Sequence, residues 1–280
     1  MAFWDAHHGI VVGSPVGDNP KQGPTAITLD GGNTWQDGPV LPQPLTRVVV
    51  VGVNTAWATA SCGAPCRPKL LRTMNGGMTW EDLGSEASLV SFVDPIHGWG
   101  TTRGGIGGDG ERLFETRDGG VAWKKSGPVC GGAWPELAGL RFVDARHGWI
   151  VCSGEGVGTM GPSATYETVN GGASWHLRSS VTLGEVPIRV GRPPSGPVMG
   201  AFFLPSRRGW VWQGRSGTET SRDGGGTWSQ APPGKPEDVF VDPMWFVDDR
   251  VGFALVFADG ATQLWTTADG GATWKAVHRW

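Results

Sequence analysis

Short apolar runs recur along the whole chain, and most of them end on Gly, Asp, Asn, Ser or Pro. Gly148-Trp-Ile-Val-Cys152 and Lys69-Leu-Leu-Arg-Thr73 are typical. Runs this short, bounded by turn residues, predict strands and an all-β fold. None approaches the 18 or more apolar residues that a membrane-spanning helix needs. One polar stretch interrupts the runs six times: TLDGGNTW from Thr28, TMNGGMTW from Thr73, TRDGGVAW from Thr116, TVNGGASW from Thr168, SRDGGGTW from Ser221 and TADGGATW from Thr267. The tryptophans that close it, Trp35, Trp80, Trp123, Trp175, Trp228 and Trp274, are separated by 45, 43, 52, 53 and 46 residues. A repeat of that period means one supersecondary unit per copy, as in propellers and solenoids.

A second signature precedes each glycine box. It reads Phe3-Trp-Asp5-Ala-His-His8-Gly9, Phe92-Val-Asp94-Pro-Ile-His97-Gly98-Trp99, Phe142-Val-Asp144-Ala-Arg-His147-Gly148-Trp149, Phe203-Leu-Pro205-Ser-Arg-Arg208-Gly209-Trp210 and Phe246-Val-Asp248-Asp-Arg-Val251-Gly252-Phe253. The second repeat is degenerate, Val51-Gly-Val-Asn54-Thr-Ala-Trp57. The pattern predicts four strands per repeat. Strand one ends at Phe-x-Asp, strand two begins at Gly-Trp, strand three runs into the box and strand four starts at the box Trp. Four strands repeated six times predict a six-bladed β-propeller formed as one domain over 1–280. The blades fall at about 1–40, 41–85, 86–129, 130–185, 186–235 and 236–280. A seven-bladed ring, with a blade lost before Phe3, is the alternative.

Composition changes this picture little. Gly 47 and Pro 21 make up about a quarter of the 280 residues, but 16 Trp and the regular apolar runs mark them as turn punctuation. A net charge of −3 gives no basic field for nucleic acid. The cysteines matter more. Cys62 and Cys66 share a Gly/Pro loop, and Cys130 and Cys152 bracket a hairpin of the fourth repeat. Two local pairs suggest two disulfides and an exported protein, with any targeting segment removed. Four thiols in a cytosolic protein are the alternative. Cys-x3-Cys has no second ligand pair at zinc spacing.

In the box, the acid or amide oxygen caps backbone N–H groups, the glycines supply positive φ, and the Trp packs between adjacent blades. These structural roles fall to Asp30, Asn75, Asp118, Asn170, Asp223 and Asp269. Asn at two of the six positions would cost a calcium site ligand charge, so no metal or other cofactor is expected. The Thr-x-Asp-Gly-Gly-x-Thr-Trp pattern resembles the Asp-box, or bacterial neuraminidase repeat. Together with Phe-x-Asp-x-x-His-Gly-Trp, it is most similar to photosystem II stability/assembly-factor-like propellers. The resemblance covers essentially the whole chain. It implies a propeller and says little of activity, because the matching residues are the turn-formers.

Strand parity places the turns between strands one and two, and between three and four, on one face. The long, variable connections lie on the other, among them 177–200, and function is expected there. The binding candidates are Trp134, Arg67, Arg103, Asp109, Arg189, Arg192 and Arg215, with a protein or a carbohydrate as the partner of a monomeric scaffold. Glu111, Glu136 and Glu155 are the carboxylates available for the alternative function, a glycoside hydrolase or lyase of the neuraminidase-repeat type acting on a polysaccharide. A sialidase mechanism needs a paired Tyr nucleophile, and the one Tyr in the chain, Tyr166, lies in a predicted strand.

Overall fold

The computed structural model describes residues 1–13, 23–60, 69–85, 87, 89–102, 112–155, 161–183, 189–213, 217–231 and 240–280. No helix occurs among them. The strands form six antiparallel sheets, and the fold is that of a six-bladed β-propeller. The first sheet is β1 (Ala2–Phe3), β2 (Gly9–Val12), β3 (Thr25–Thr28) and β4 (Gln36–Asp37). The second is β5 (Leu45–Val51), β6 (Thr55–Ala60), β7 (Lys69–Thr73) and β8 (Glu81–Asp82), and the third is β9 (Leu89–Phe92), β10 (Gly98–Thr102), β11 (Arg112–Thr116) and β12 (Lys124–Pro128). The fourth holds β13 (Glu136–Phe142), β14 (Gly148–Ser153), β15 (Ser163–Thr168), β16 (His176–Val181) and a fifth strand, β17 (Arg189–Val190). The fifth is β18 (Gly200–Phe203), β19 (Gly209–Trp212), β20 (Thr218–Ser221) and β21 (Ser229–Gln230). The sixth is β22 (Phe240–Phe246), β23 (Gly252–Ala258), β24 (Ala261–Thr267) and β25 (Lys275–Arg279). The chain divides into two compact units, residues 1–103 with 114–125 and residues 104–113 with 126–280.

The 177–200 stretch is less of a loop than the sequence suggests. β16 continues to Val181, and Ser180 and Val181 then pair with Val190 and Arg189 of β17. Ser179, Ser180 and Val181 are buried, which explains why the edge strand persists.

The repeated signatures meet in a cross-strand pair. In five blades the signature Phe lies opposite the signature Gly: Phe3–Gly9, Phe92–Gly98, Phe142–Gly148, Phe203–Gly209 and Phe246–Gly252. The ring covers the glycine so closely that an added Cβ at Gly148 would lie 2.6 Å from the Phe142 ring. The strand-two Trp of one blade then stacks on the Phe of the next. Trp57 covers Phe92 at 3.7 Å, Trp149 covers Phe203 at 4.9 Å and Trp210 covers Phe246 at 3.7 Å between centroids, all nearly parallel. The box Trp packs between adjacent blades as well as within its own: Trp228 shares a core cluster with Trp149 and Val151 of the preceding blade, and Trp123 packs against the cluster of Trp57 and Leu70. Trp123, Trp175, Trp228 and Trp274 meet Phe92, Phe142, Phe203 and Phe246 edge-on at 5.8–6.1 Å. Its N–H is turned back to the second box glycine, as in Trp80 Nε1–H donating to the Gly77 carbonyl at 3.1 Å, which fixes the ring over its own sheet.

Both short turns of a blade lie at the same end and are joined. The first box glycine donates its N–H to the preceding turn in every blade: Gly31 to His7, Gly76 to Asn54, Gly119 to Ile96, Gly171 to Arg146, Gly224 to Arg207 and Gly270 to Arg250, at 2.8–3.0 Å. In the box at Asp30, Oδ1 accepts the Thr34 N–H at 2.9 Å and Oδ2 accepts the Thr34 hydroxyl at 2.6 Å. At Asn75 the second bond is reversed, and Nδ2 donates to the Thr79 hydroxyl at 2.9 Å. A hydroxyl both donates and accepts, so either residue closes the turn. The side-chain bond from Thr34, then its N–H, hold Asp30 at about 2, and Thr273 does the same for Asp269.

Gly148→Ala is expected to lower stability by about 1–3 kcal/mol, as overpacking does, with Gly127→Ala, whose Cβ meets nothing within 4 Å, as the neutral comparison in thermal unfolding. Asp30 and Asp269 titrate below their unfolded value of 3.8, so their stabilisation is complete above about pH 4 and is lost as pH falls towards 2. Asp30→Asn should therefore remain folded at pH 7 and lose less of its melting temperature between pH 4 and pH 2 than the parent. A steeper acid loss in the variant would contradict this account of the turn.

Candidate functional site

Three expected site residues converge at one end of the fourth blade. Cys130 is disulfide-bonded to Cys152 near the end of β14. That bond holds the segment before β13 against the sheet. Within the segment, Trp134 N–H donates to the Gly131 carbonyl at 3.2 Å, and its indole Nε1–H donates to the Val181 carbonyl at 2.8 Å. Trp134 is therefore part-buried and anchored, with only part of its ring available to a ligand. Glu136 follows as the first residue of β13, exposed and paired with Ser153. Glu155 stands two residues beyond Ser153 and is also exposed. Gly154 lies between them because the Ala133 carbonyl would sit 2.4 Å from a Cβ there.

Arg192 is exposed, and its backbone ties to the fifth blade through Gly226 and Trp228. Arg189 lies in β17, its side chain outside the described residues. Arg67, Arg103, Asp109, Glu111 and Arg215, with Cys62 and Cys66, also lie outside the described residues. Tyr166 occupies β15, paired with Ile150 and Leu177.

A different cluster has the more unusual chemistry. In the second unit β13 packs beside β18, and β18 beside β22. Arg141, Phe202 and Trp245 each directly precede the signature Phe on these three strands. The Arg141 guanidinium lies 4.7 Å from the Phe202 ring centroid and 5.2 Å from that of Trp245. The two rings are 5.0 Å apart and tilted. The residue keeps some exposure, but its charged head is enclosed, and that desolvation pulls it down to about 10. Its Nε has no hydrogen-bond partner, and it makes no ion pair among the described residues. Two aromatic faces return about 2 kcal/mol each at a desolvated cation, against a cost of several kcal/mol for enclosing an uncompensated charge. An anion placed at the guanidinium would restore that balance.

Sequence reasoning missed this cluster because it recorded the matching positions of each repeat. The signal was in a non-matching one. The residue before the signature aromatic is Ala2, Ser91, Phe202 or Trp245 in other repeats, Val50 in the degenerate one, and Arg only in the fourth.

Elsewhere, both buried glutamates among the described residues are paired within the fold. Glu219 accepts the Ser195 N–H at 2.8 Å and the Ser195 hydroxyl. Glu167 accepts from Arg207 at 2.9 Å and lies 3.5 Å from Arg178. The turn histidines bond their own turn acids, as His97 Nδ1 does with Asp94 at 2.7 Å. Among the described residues no group of three or more His, Cys, Asp or Glu side chains is placed to hold a metal.

No protein-family model and no curated protein matches the chain. Among solved structures it is similar to YCF48 bound to D1 peptide, at 18% identity and TM-score 0.55, over 98% of this chain and 79% of that one. It is also similar to the GH93 alpha-L-arabinofuranosidase of Fusarium graminearum in complex with arabinobiose, at 12% identity and TM-score 0.59, over 92% of this chain and 89% of that one. At these identities the likeness establishes the propeller fold that the chain shares with a peptide-bound protein and with a glycosidase.

Proposed function

We propose that this protein is a non-catalytic, exported Asp-box propeller that binds a protein segment through a carboxylate. The observation that carries this reading is Arg141, a cation enclosed by Phe202 and Trp245 without a described counter-charge. A peptide C-terminus, or an Asp or Glu side chain, supplies the missing anion as a planar acceptor that a guanidinium engages with two bonds. The rings offer apolar area to the adjoining residue. Trp134, Arg67, Arg103, Asp109, Arg189, Arg192 and Arg215 belong to the same reading as variable-loop residues that select among partners. The Cys130–Cys152 disulfide supports an oxidising compartment. Two further points favour a peptide: the likeness to YCF48, whose structure carries one, and the Asp-box reading, in which the repeated acids are committed to turns.

A peptide array that presents free C-terminal carboxylates beside amidated copies tests this. The free acids should bind, and Arg141→Gln should weaken them at least tenfold, the loss of a charge-assisted hydrogen bond of about 1.5–3 kcal/mol. Equal binding of acid and amide by the parent would overturn the reading. Trp134→Ala tests the loop residues in the same assay.

A second reading rests on the fourth blade, where Trp134, Glu136 and Glu155 gather at one end. Two carboxylates beside an aromatic wall suit glycoside cleavage. Turnover of chromogenic arabinosides or of polysaccharides, abolished by Glu136→Gln, Glu155→Gln or Glu111→Gln, would establish a hydrolase or lyase. The binding reading predicts no turnover above the buffer rate.

A further inference from the structure

The first unit presents an apolar surface where its blades carry their short turns. Leu29, Met74 and Met78 and Val121 project from the glycine boxes of blades one, two and three, and Val53 and Ile96 from the turns that precede two of those boxes. All six are 50–84% exposed. The hydrogen bonds Gly76 N–H to Asn54 and Gly119 N–H to Ile96 join the turn that carries Val53 to the box of Met74 and Met78, and the turn that carries Ile96 to the box of Val121. Trp57 Nε1–H donates to the Gly119 carbonyl at 2.8 Å, which ties the second blade to the box of the third. The tips are therefore grouped on one end of successive blades. None of them is needed for the turn, whose bonds run through Thr, Asp or Asn and the glycine N–H groups. Grouped exposed apolar side chains of this size mark an interaction surface.

The charges around these tips specify what fits. Asp5, Asp30, Asp94 and Asp118 lie on the same turns, and each is held below the usual carboxylate range by hydrogen bonds that outweigh its burial, so all four are ionised at neutral pH. Among the described residues they bond backbone N–H groups, hydroxyls and histidine rings, and no Lys or Arg. The two arginines nearby are matched within the unit, Arg72 with Glu81 at 2.9 Å and Arg117 with Glu115 at 2.7 Å. An apolar centre with a fixed negative rim results. A second copy would set this rim against itself, because a twofold contact repeats the same patch on both sides. An anionic lipid surface would be repelled in the same way.

We infer that the turn surface of blades one to three docks a basic amphipathic segment of a protein partner, its apolar side on Met74, Met78, Ile96 and Val121 and its Lys or Arg residues on the aspartate rim. Met supplies an adaptable contact for such a segment. This surface is independent of Arg141 and lies in the other unit.

An 18-residue amphipathic Leu/Lys peptide and its Leu/Glu counterpart, followed by fluorescence anisotropy, test the inference. The Leu/Lys peptide should bind in low salt and weaken as salt rises. Met78→Ser with Val121→Ser should weaken it at least tenfold without changing the melting temperature. Asp30→Asn with Asp118→Asn should weaken it several-fold and flatten the salt dependence. Phe257→Ser, which removes an exposed ring of the second unit, should leave binding unchanged. The inference is overturned if the serine pair binds as the parent does, or if the Leu/Glu peptide binds equally well. It is also overturned if the serine pair abolishes self-association in ultracentrifugation, or adsorption to phosphatidylserine vesicles, while peptide binding persists.

Discussion

The contact on which each blade depends is an aromatic ring laid across a glycine on the neighbouring strand. In five blades the signature Phe covers the signature Gly, and a side chain at that glycine would occupy the space of the ring. The ring has two further partners: the box Trp of its own blade at its edge and, for Phe92, Phe203 and Phe246, the strand-two Trp of the preceding blade on its face. One ring thus joins strand pairing, turn closure and blade-to-blade packing. This explains why Phe, Gly and Trp recur together at fixed offsets. The second repeat lacks the Phe and the Gly, and there Val51 pairs with Thr55 around a tighter turn.

The turns are held by a polar network that tolerates some exchange. Asp30 accepts from the hydroxyl four residues on where Asn75 donates to one, and Asp118 lacks that hydroxyl because Ala122 replaces Thr, yet keeps the Thr116 hydroxyl and its backbone bonds. What is held constant is an oxygen that accepts the N–H four residues on. The side chains around that oxygen are therefore free to differ between blades. They do differ: exposed apolar residues such as Leu29, Met74, Met78 and Val121 stand in the first three boxes, and arginines such as Arg146, Arg207, Arg222 and Arg250 in the boxes and turns of later blades. Function can be written into a repeat at such positions without disturbing its fold.

Arg141 shows the same economy inside a blade. Its repeat position is buried in the other blades, as Ala2, Val50, Ser91, Phe202 and Trp245, but takes no part in the turns, so a charge there costs its own desolvation, partly offset by the two rings. That cost is borne by a stable scaffold, and a ligand anion would remove it. The variable loops, where the sequence reading placed function, bring Trp134 near Glu136 and Glu155. The same tertiary contacts that gather them also engage the Trp134 N–H, which narrows what that ring can do for a ligand.

The sequence by itself determined the all-β class, the six repeats, the four strands of each and the end at which the short turns lie. It could do so because these rest on local rules: a two-residue strand period, turn residues at fixed offsets and a regular spacing of the boxes. It also pointed to the Cys130–Cys152 pair from nearness along the chain. Only the tertiary structure decided which ring meets which. It laid the box Trp edge-on against the Phe of its own blade, extended β16 and added β17 where a loop was expected, and set Arg141 between Phe202 and Trp245, residues more than 60 and 100 positions away. Such contacts depend on how neighbouring blades abut, and no periodicity within one blade encodes that distance.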